Sequence, residues 1–359
     1  MTRPSRVVID KQALKHNFQR VRELAPNSKI MAIIKADAYG HGLIRVAQTL
    51  NHADAFGVAC FEEAEQLRAA DITNQIVLLE GPHKAVDLPR IVELKLDVVI
   101  HHESQLEIIE QTKLDESIQA WIKIDTGMHR LGFPVDKVSE VLERVSNCKN
   151  IKQNPILMTH FATANEMNNP LTQQQLNSFN EYCGDLSFEK TIANSAAIIN
   201  FPETHADWVR PGLMLYGVSP MKDGNAKEQE LKSVMTLESE IISIQHLSKG
   251  DSVGYGATWQ CPEDMPVGVI AAGYGDGFPR HAKSGTPILV NNVRCSLIGR
   301  ASMDMLTVDL RNQPEAKIGD HVILWGQSLP IEEIAHHADT IPYELLCGVH
   351  KRLEFVERG

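Results

Sequence analysis

The first two thirds of the chain alternate short runs rich in β-branched residues with segments in which apolar residues recur every three or four positions. Such alternation is typical of a parallel sheet whose strands are joined by helical crossovers. Eight runs are predicted to be strands: "KIMAIIKA" (29–36), "AFGVAC" (55–60), "IVLLEG" (76–81), "LDVVIHH" (96–102), "AWIKIDTG" (120–127), "PILMTHFA" (155–162), "KTIANSA" (190–196) and "WVRPGLMLYG" (208–217). This count favours an N-terminal (β/α)8 TIM barrel. A doubly wound open sheet stays the alternative, because the number of strands alone does not exclude it.

The pattern changes after about residue 225, where apolar residues begin to alternate with a period near two. The segment "PILVNNVRCSL" places an Asn-Asn dipeptide between two β-rich runs. Because Asn tolerates positive φ, this dipeptide predicts a hairpin turn. We therefore predict an α/β chain with two domains, a cofactor-binding barrel in residues 1–227 and a mainly-β domain in residues 228–359.

Charge and composition exclude several classes of function. The formal net charge of −11 argues against a nucleic acid or an anionic membrane as partner, since both need clustered Lys and Arg. No apolar run approaches the roughly 20 residues that span a bilayer, and the first residues lack the apolar core of a secretory signal. We expect a cytoplasmic protein.

Cysteine and histidine spacing gives no indication of a metal site. The six cysteines (60, 148, 183, 261, 295 and 347) are scattered without a C-x-x-C pair, and they are predicted to be free thiols. The pairs His101-His102 and His336-His337 lack a spaced third ligand, so no metal is predicted.

Most of the chemically capable residues fall at or just after the ends of predicted strands. In a (β/α)8 barrel these ends meet at one mouth, where active sites are built from several strands at once. The residues are Lys35, Lys123, Arg130, His160, Asn194 and Ser195, and Arg210 and Gly212 lie on the eighth predicted strand itself. Each also has a plainer interpretation: a strand-end lysine can be a surface residue, His160 can be a core histidine, and Arg130 can pair with Asp125.

Lys35 ends an apolar run and suggests one particular chemistry. The neutral amine of a partly desolvated lysine can attack an aldehyde to form an imine. Pyridoxal 5′-phosphate is the common cofactor with such an aldehyde, and its phosphate needs hydroxyls and backbone N–H groups. The candidates for that cradle are Tyr39, Ser195, Gly212, Leu213 and Tyr343.

Nine blocks along the chain, in order, resemble those of the alanine racemase family of fold-type III pyridoxal-phosphate enzymes. The blocks are "AIIKADAYGHG", "KIDTGMHRLGF", "MTHFATA", "ANSAA", "VRPGLMLYG", "VGYGATW", "AAGYGDGFPR", "GRASMDM" and "IPYELLCG". Nine ordered blocks are far more specific than one motif. The resemblance implies a homodimer that interconverts L- and D-alanine.

The resemblance also implies catalytic roles. Lys35 is similar to the lysine that binds the cofactor and acts as one catalytic base, and Tyr255 of "VGYGATW" resembles the second base, supplied by the partner subunit. Two bases suit racemisation, because the α-proton leaves one face and returns on the other. His160 and Arg210 correspond to the residues behind that tyrosine, and Arg210 also resembles the residue beside the pyridine nitrogen.

Further positions match the binding of cofactor and substrate. Arg130 resembles a residue that contacts the cofactor's phenolic oxygen and the substrate carboxylate, and Lys123 matches a position that is carbamylated in many members. Met303 is similar to a residue whose backbone N–H binds that carboxylate, with Asp304 beside it. The cofactor-binding set implied by the match is Lys35, Tyr39, His160, Asn194, Ser195, Arg210, Gly212, Leu213 and Tyr343.

Three rival functions stay open from the sequence. The first is a decarboxylase of the same fold, and the tyrosine of "VGYGATW" argues against it. The second is a racemase of another small amino acid such as serine, because an apolar pocket discriminates between a methyl and a hydroxymethyl side chain by only about 1–3 kcal/mol. A pyridoxal-phosphate carrier built on the bare barrel would lack the predicted β domain. The favoured reading is alanine racemisation that supplies D-alanine for peptidoglycan.

Overall fold

The computed structural model describes residues 3–222 and 224–359. The strands are β1 (Arg6–Asp10), β2 (Lys29–Ile33), β3 (Ala55–Val58), β4 (Gln75–Leu78), β5 (Leu96–Ile100), β6 (Ala120–Asp125), β7 (Phe133–Pro134), β8 (Ile156–Met158), β9 (Lys190–Asn194), β10 (Trp208–Arg210), β11 (Met235–Leu247), β12 (Ser252–Val253), β13 (Trp259–Gln260), β14 (Met265–Ile270), β15 (Pro287–Val290), β16 (Val293–Leu297), β17 (Leu306–Asp309), β18 (His321–Trp325) and β19 (Glu354–Arg358). The helices are α1 (Lys11–Leu24), α2 (Lys35–Tyr39), α3 (Leu43–Thr49), α4 (Phe61–Ala69), α5 (Leu88–Glu93), α6 (Glu103–Gln111), α7 (Val138–Asn147), α8 (Leu171–Cys183), α9 (Ser195–Asn200), α10 (Ile331–His337) and α11 (Pro342–Cys347).

Eight parallel strands close into a barrel, which confirms the predicted TIM barrel and excludes the open sheet. Neighbours around the ring are β2, β3, β4, β5, β6, β8, β9 and β10, and β10 pairs with β2 again. The strands are buried along their length, as the uniformly buried β3 and β5 illustrate. Helices cover the outside because a parallel sheet must bury both faces.

Each of the eight predicted strands is present, and several end earlier than predicted. β2 stops at Ile33 instead of residue 36, because the backbone turns left-handed from Ala36 onward. β10 stops at Arg210, since Pro211 has no N–H to continue the ladder. Residues beyond these early ends are no longer part of the strand ladder at the carboxyl end of the barrel.

The second sheet is mainly antiparallel. Six of its strands (β11, β14, β17, β16, β15 and β18) form a closed ring, because β11 pairs with both β14 and β18. The predicted Asn-Asn hairpin is present: β15 and β16 pair, and Asn291 and Asn292 have φ of 49° and 64°. These left-handed values suit Asn in a tight turn between twisted strands.

The first strand of the chain lies in this second sheet. β1 pairs antiparallel with β11 and parallel with β19, and its Val7 and Ile9 are fully buried. One continuous apolar core includes residues of both sheets. The domain limits 1–227 and 228–359 stay a prediction. By sequence β1 belongs to residues 1–227, but both of its partner strands, β11 and β19, belong to residues 228–359.

Membrane-spanning helices and clusters of metal-ligating side chains are both absent from residues 3–222 and 224–359. Within them, no helix has both the length and the apolar character needed to cross a membrane. The same residues contain no group of three or more His, Cys, Asp or Glu side chains placed to hold a metal ion. All six cysteines are free thiols, as predicted.

Candidate active site

Lys35 follows β2 directly and begins a turn of unusual handedness. Ala36, Asp37, Ala38 and Tyr39 have φ of 52–55°, so the backbone makes a turn of left-handed helix. For non-glycine residues this conformation costs about 1–2 kcal/mol each. Gly40 closes the turn at φ 76°, where a Cβ would lie 2.2 Å from the carbonyl oxygen of Leu346. The strained residues follow Lys35 directly. Backbone strain of this kind often occurs at functional sites.

A cavity of about 740 Å³ opens at the carboxyl ends of the barrel strands. That volume lies within the range of small-molecule sites. Of the predicted site residues, those that line it are Lys35, Tyr39, Lys123, Arg130, His160, Asn194, Ser195, Arg210, Gly212, Leu213 and Tyr343. Tyr343 comes from α11, so the second domain of the same chain forms part of the wall. The structure therefore brings together all the residues predicted on the barrel.

Four cationic side chains face this cavity, namely Lys35, Lys123, Arg130 and Arg210. Their effect is visible at Lys123, where burial, followed by the charges of Arg210, Arg130 and Lys35, lowers the pKa to about 8. The cavity is also lined by one acidic residue, Glu80, so cationic side chains predominate, and a concave, partly desolvated wall with an excess of positive charge attracts anions. The cavity is therefore suited to an anionic ligand.

Arg210 is buried, and its hydrogen bonds in the described part of the chain go to neutral groups. It donates to Thr191 Oγ1 at 2.5 Å and to the carbonyl oxygens of Thr159 at 2.6 Å and Ile192 at 3.3 Å. Burial lowers the pKa of Arg210 to about 10, which leaves the guanidinium charged at neutral pH. A buried cation without a carboxylate partner is costly, so this charge is available to a ligand.

His160 lies next to Arg210, with 3.4 Å between its Nδ1 atom and Nη2 of the arginine. A guanidinium can only donate, so Nδ1 accepts and the imidazole hydrogen lies on Nε2. Burial, and after it the charge of Arg210, hold the pKa of His160 well below its usual value. His160 is therefore a neutral imidazole with an N–H to donate.

Backbone and hydroxyl groups cluster at the far side of the cavity. Ser195 Oγ accepts from the backbone N–H of Gly212 at 2.8 Å and of Met214 at 3.4 Å. A Cβ on Gly212 would lie 2.8 Å from the Tyr39 hydroxyl oxygen, so only glycine permits this close approach. Asn194 accepts from Ala197 N–H at 3.1 Å and fixes the start of α9. These small and hydroxyl groups suit a phosphate.

Asp125 organises the loop that carries Arg130. One carboxylate oxygen, Oδ1, accepts from the backbone N–H groups of Gly127, Met128 and His129 at 2.9–3.1 Å. Although burial raises the pKa of Asp125, the bonds from Gly127 and His129 bring it below its usual range. An ion pair between Asp125 and Arg130 is not present among the described residues. Arg130 is thus free to contact a ligand.

Three predicted residues do not line the cavity, and all of them belong to the second domain. Tyr255 has 68% of its surface exposed and Met303 has 53%, while Asp304 lies beside Met303. The Met303–Asp304 turn is held by Arg352, which donates to Met303 O at 3.3 Å and pairs with Asp304 at 2.9 Å. These residues present their side chains to solvent in the single chain.

Several residues of the site have no signal in the sequence that assigns them a role. Glu80, Met158, Ile341 and Cys347 line the cavity; Met158 falls in the block "MTHFATA" and Ile341 and Cys347 fall in "IPYELLCG", whereas Glu80 falls in none of the matched blocks. Glu63 contacts the turn after Lys35 from α4, and its helix shows no feature that separates it from its acidic neighbours. Contacts between elements distant in the chain require the fold.

Comparisons with known proteins agree with this geometry. The sequence profile "Alanine racemase, N-terminal domain" matches residues 9–220, and "Alanine racemase, C-terminal domain" matches residues 234–357. An alanine racemase of Nitrosococcus oceani is 53% identical over 346 residues, which cover 96% of this chain and 97% of that protein.

Two solved structures have the same fold over the whole chain. The biosynthetic alanine racemase of Pseudomonas aeruginosa superposes with a TM-score of 0.97 and 42% identity, covering 100% of both chains. The alanine racemase of Bartonella henselae with covalently bound pyridoxal phosphate gives a TM-score of 0.89 and 27% identity, covering 99% of each. On the match of both domain profiles, of sequence and of fold, the chain belongs to the alanine racemase family.

Proposed function

We propose that this protein interconverts L- and D-alanine with pyridoxal 5′-phosphate as cofactor, and that it acts as a cytoplasmic homodimer. The observation that carries the proposal is the placement of the Lys35 amine in a cationic cavity beside Arg210 and His160. The alanine racemases to which the chain is similar support the choice of substrate. The Bartonella henselae structure with covalently bound pyridoxal phosphate supports the choice of cofactor.

The residues of the cavity fit this cofactor at each of its functional groups. Lys35 supplies the amine for the aldehyde, and the cluster of Ser195, Gly212 and Tyr39 supplies a cradle for the phosphate. The hydroxyl of Tyr343 and the backbone at Leu213 complete that cradle, with Asn194 supporting it. Arg210 would hold the pyridine nitrogen by donating to it, and because arginine keeps its proton that nitrogen would stay unprotonated.

The bound cofactor would withdraw electrons from the amino acid, so that the hydrogen on its Cα becomes removable as a proton. For L-alanine, Tyr255 Oη of the partner subunit takes that proton from one face, and Lys35 Nζ delivers a proton to the other. For D-alanine the two groups exchange roles. Groups on opposite faces are the direct solution to racemisation.

His160 and Arg210 act behind the tyrosine. An ordinary tyrosine has a pKa of about 10 and is a weak base at neutral pH. The neutral His160 has its Nε2–H free to donate, and the charge of Arg210 lies next to it. A hydrogen bond from Nε2–H to Tyr255 Oη favours the phenolate and so makes Tyr255 a better base.

Arg130 and Lys123 bind and orient the substrate carboxylate. Arg130 carries no carboxylate partner among the described residues, so its guanidinium can take the carboxylate in a bidentate manner. The lowered pKa of Lys123, about 8, leaves an appreciable neutral fraction at neutral pH. A neutral amine reacts with carbon dioxide, and the resulting carbamate would reverse the local charge and hold Arg130 in place.

Large apolar side chains that are exposed in the single chain support the homodimer. Tyr255, Met303 and Met305 are large apolar side chains on the surface of the second domain. Their burial against the barrel mouth of a second copy would bring Tyr255 to Lys35 and the Met303 N–H to the substrate carboxylate, with Asp304 beside it. We infer a role in providing D-alanine for peptidoglycan from the family.

Proton NMR of L-alanine with the purified protein and pyridoxal phosphate in heavy water, followed by chiral analysis, tests this function. We expect the α-proton signal to disappear as D-alanine forms. A Lys35→Ala variant serves as the control and should leave the signal intact. An α-proton that persists with the native protein would overturn the assignment to alanine, and L-serine would then be tried in the same assay.

A further inference from the structure

The left-handed turn after Lys35 leaves backbone N–H groups that it cannot pair itself. The first N–H groups of any helical turn have no carbonyl partner within the turn. In this protein the N–H groups of Ala36 and Asp37 both donate to Oε1 of Glu63, at 2.6 Å and 3.4 Å. Glu63 lies on α4, in a different strand–helix unit of the barrel.

The second oxygen of the same carboxylate has a different partner. Oε2 of Glu63 accepts from the backbone N–H of Ala59 at 2.9 Å, just after β3 ends at Val58. β2 and β3 are neighbours in the barrel, with Ile33 opposite Gly57. Glu63 therefore ties the segment that follows β2 to the segment that follows β3. Lys35 lies between the end of β2 at Ile33 and the N–H of Ala36 that Glu63 binds.

The far side of the turn is held by groups within the turn and its continuation. His41 is fully buried, and its Nδ1 atom lies 2.8 Å from the carbonyl oxygen of Tyr39 and 3.1 Å from that of Ala38. Asp37 Oδ1 accepts from the backbone N–H of Leu43 at 2.7 Å. The start of the turn, next to Lys35, is held instead by the carboxylate of Glu63 from α4.

We propose that Glu63 is a positioning residue for Lys35. Its carboxylate keeps the backbone of residues 36 and 37 left-handed, and this conformation sets the direction in which the lysine side chain enters the cavity. Charge-assisted bonds to backbone N–H groups are stronger than neutral ones, so the carboxylate suits a strained turn. The inference rests on the proposed function, in which Lys35 holds the cofactor and moves a proton.

A plainer role for Glu63 is to cap its own helix through Ala59 N–H. That role would affect the stability of the fold and leave the behaviour of Lys35 unchanged in each folded molecule. The two roles therefore separate when the measurement reports on Lys35 itself. Glu65 is on the same helix and pairs with Arg90 at 3.2 Å, which makes Glu65→Gln a matched control.

The experiment begins with the native protein. It is incubated with pyridoxal phosphate, reduced with borohydride and digested, and the peptide that carries the cofactor is identified by mass spectrometry. Modification at Lys35 is expected. Its absence would contradict the proposed function and would remove the positioning role with it.

Three variants are then compared with the native protein: Glu63→Gln, Glu63→Ala and Glu65→Gln. The measurements are cofactor affinity, kcat and the pH at which the visible absorption of the Lys35-linked cofactor changes. Melting temperatures give the folded fraction. We expect Glu63→Ala to lower kcat on the order of 10- to 100-fold, the cost of a misplaced reacting group, and to shift the titration. Glu63→Gln should lie between Glu63→Ala and the native protein, because its amide retains one acceptor oxygen.

Faster amide exchange at residues 36 and 37 in Glu63→Ala, but not in Glu65→Gln, would connect the kinetic change to the turn. Native kcat, affinity and titration in both Glu63 variants, whether or not their melting temperatures fall, would overturn the positioning role and leave the proposed function standing.

Discussion

Nη2 of Arg210 lies 3.4 Å from Nδ1 of His160, and both side chains line the same cavity. This contact joins a permanent cation to a group that titrates near neutral pH in water. After burial, the charge of Arg210 is the largest influence that lowers the pKa of His160. The pair therefore behaves as one unit in which the imidazole stays neutral.

Replacement of Arg210 by glutamine should raise the pKa of His160 towards its usual value, because the nearby charge is removed. Catalytic efficiency should fall by about 100-fold, since a preorganised donor in the site is lost. The His160 titration is measured by NMR of labelled imidazole, and the rate by D-alanine formation. Arg144→Gln removes a cation that pairs with Glu110 outside the cavity and serves as control. An unchanged His160 titration would refute the proposed coupling.

Mixing two inactive variants should restore activity if the site is shared between subunits. Lys35→Ala removes one base and Tyr255→Phe the other, so each homodimer is expected to be inactive. After free exchange of subunits, each mixed dimer holds one intact site, and about a quarter of native activity should return. The assay is D-alanine formation before and after mixing. Failure to regain activity, with exchange demonstrated by mass spectrometry, would place both bases in one chain or exclude Tyr255.

The lowered pKa of Lys123 predicts a pH-dependent contribution to stability. The pKa is about 8 in the folded protein against the ordinary 10.5. Between these values the unfolded chain binds a proton that the folded protein has released, so stability rises with pH across this window. Below pH 8 the buried charge opposes folding.

Lys123→Met should therefore be more stable than the native protein at pH 7 by about 2 kcal/mol, after allowance for partial exposure. The difference should disappear near pH 10.5. Urea unfolding in buffer free of carbon dioxide at both pH values measures it, since a carbamate on Lys123 would hide the effect. An equal difference at the two pH values would show that packing, not charge, is responsible.

Asp276 is expected to be the most sensitive carboxylate of the second domain. It is fully buried and pairs with Arg3 and Arg352, both at 2.8 Å. Asp276→Asn removes the buried anion between these two arginines and leaves them only the half-exposed Asp304, so it should lower the free energy of unfolding by roughly 3 kcal/mol. Glu263→Gln, which removes an exposed partner of Arg311, should change it by less than about 1 kcal/mol. Equal losses in the two variants, measured by urea unfolding, would contradict this.

The regular part of the fold follows from hydrophobic periodicity. All eight barrel strands are present where β-branched runs occur. Their ends could not be predicted, because the termination of β2 depends on a left-handed turn that tertiary contacts hold in place. No local propensity favours Ala36 and Ala38 at positive φ.

The site divides in a similar way. Residues at the strand ends converge because the topology requires it, so Lys35, His160 and Arg210 could be grouped from the sequence. Glu63 could not, since its contact with Ala36 joins separate strand–helix units. Tyr255 and Met303 lie outside the cavity of one chain, and only the family resemblance assigns them to an active site.

The position of β1 between β11 and β19 has a consequence for biosynthesis. The strand leaves the ribosome first, yet its partners begin at Met235 and Glu354. At ordinary translation rates the second partner follows roughly tens of seconds later. During that interval Val7 and Ile9, which are fully buried in the finished protein, have no sheet to join. Arg6–Asp10 can therefore take its place in the sheet only after nearly all of the chain that follows it has been synthesised.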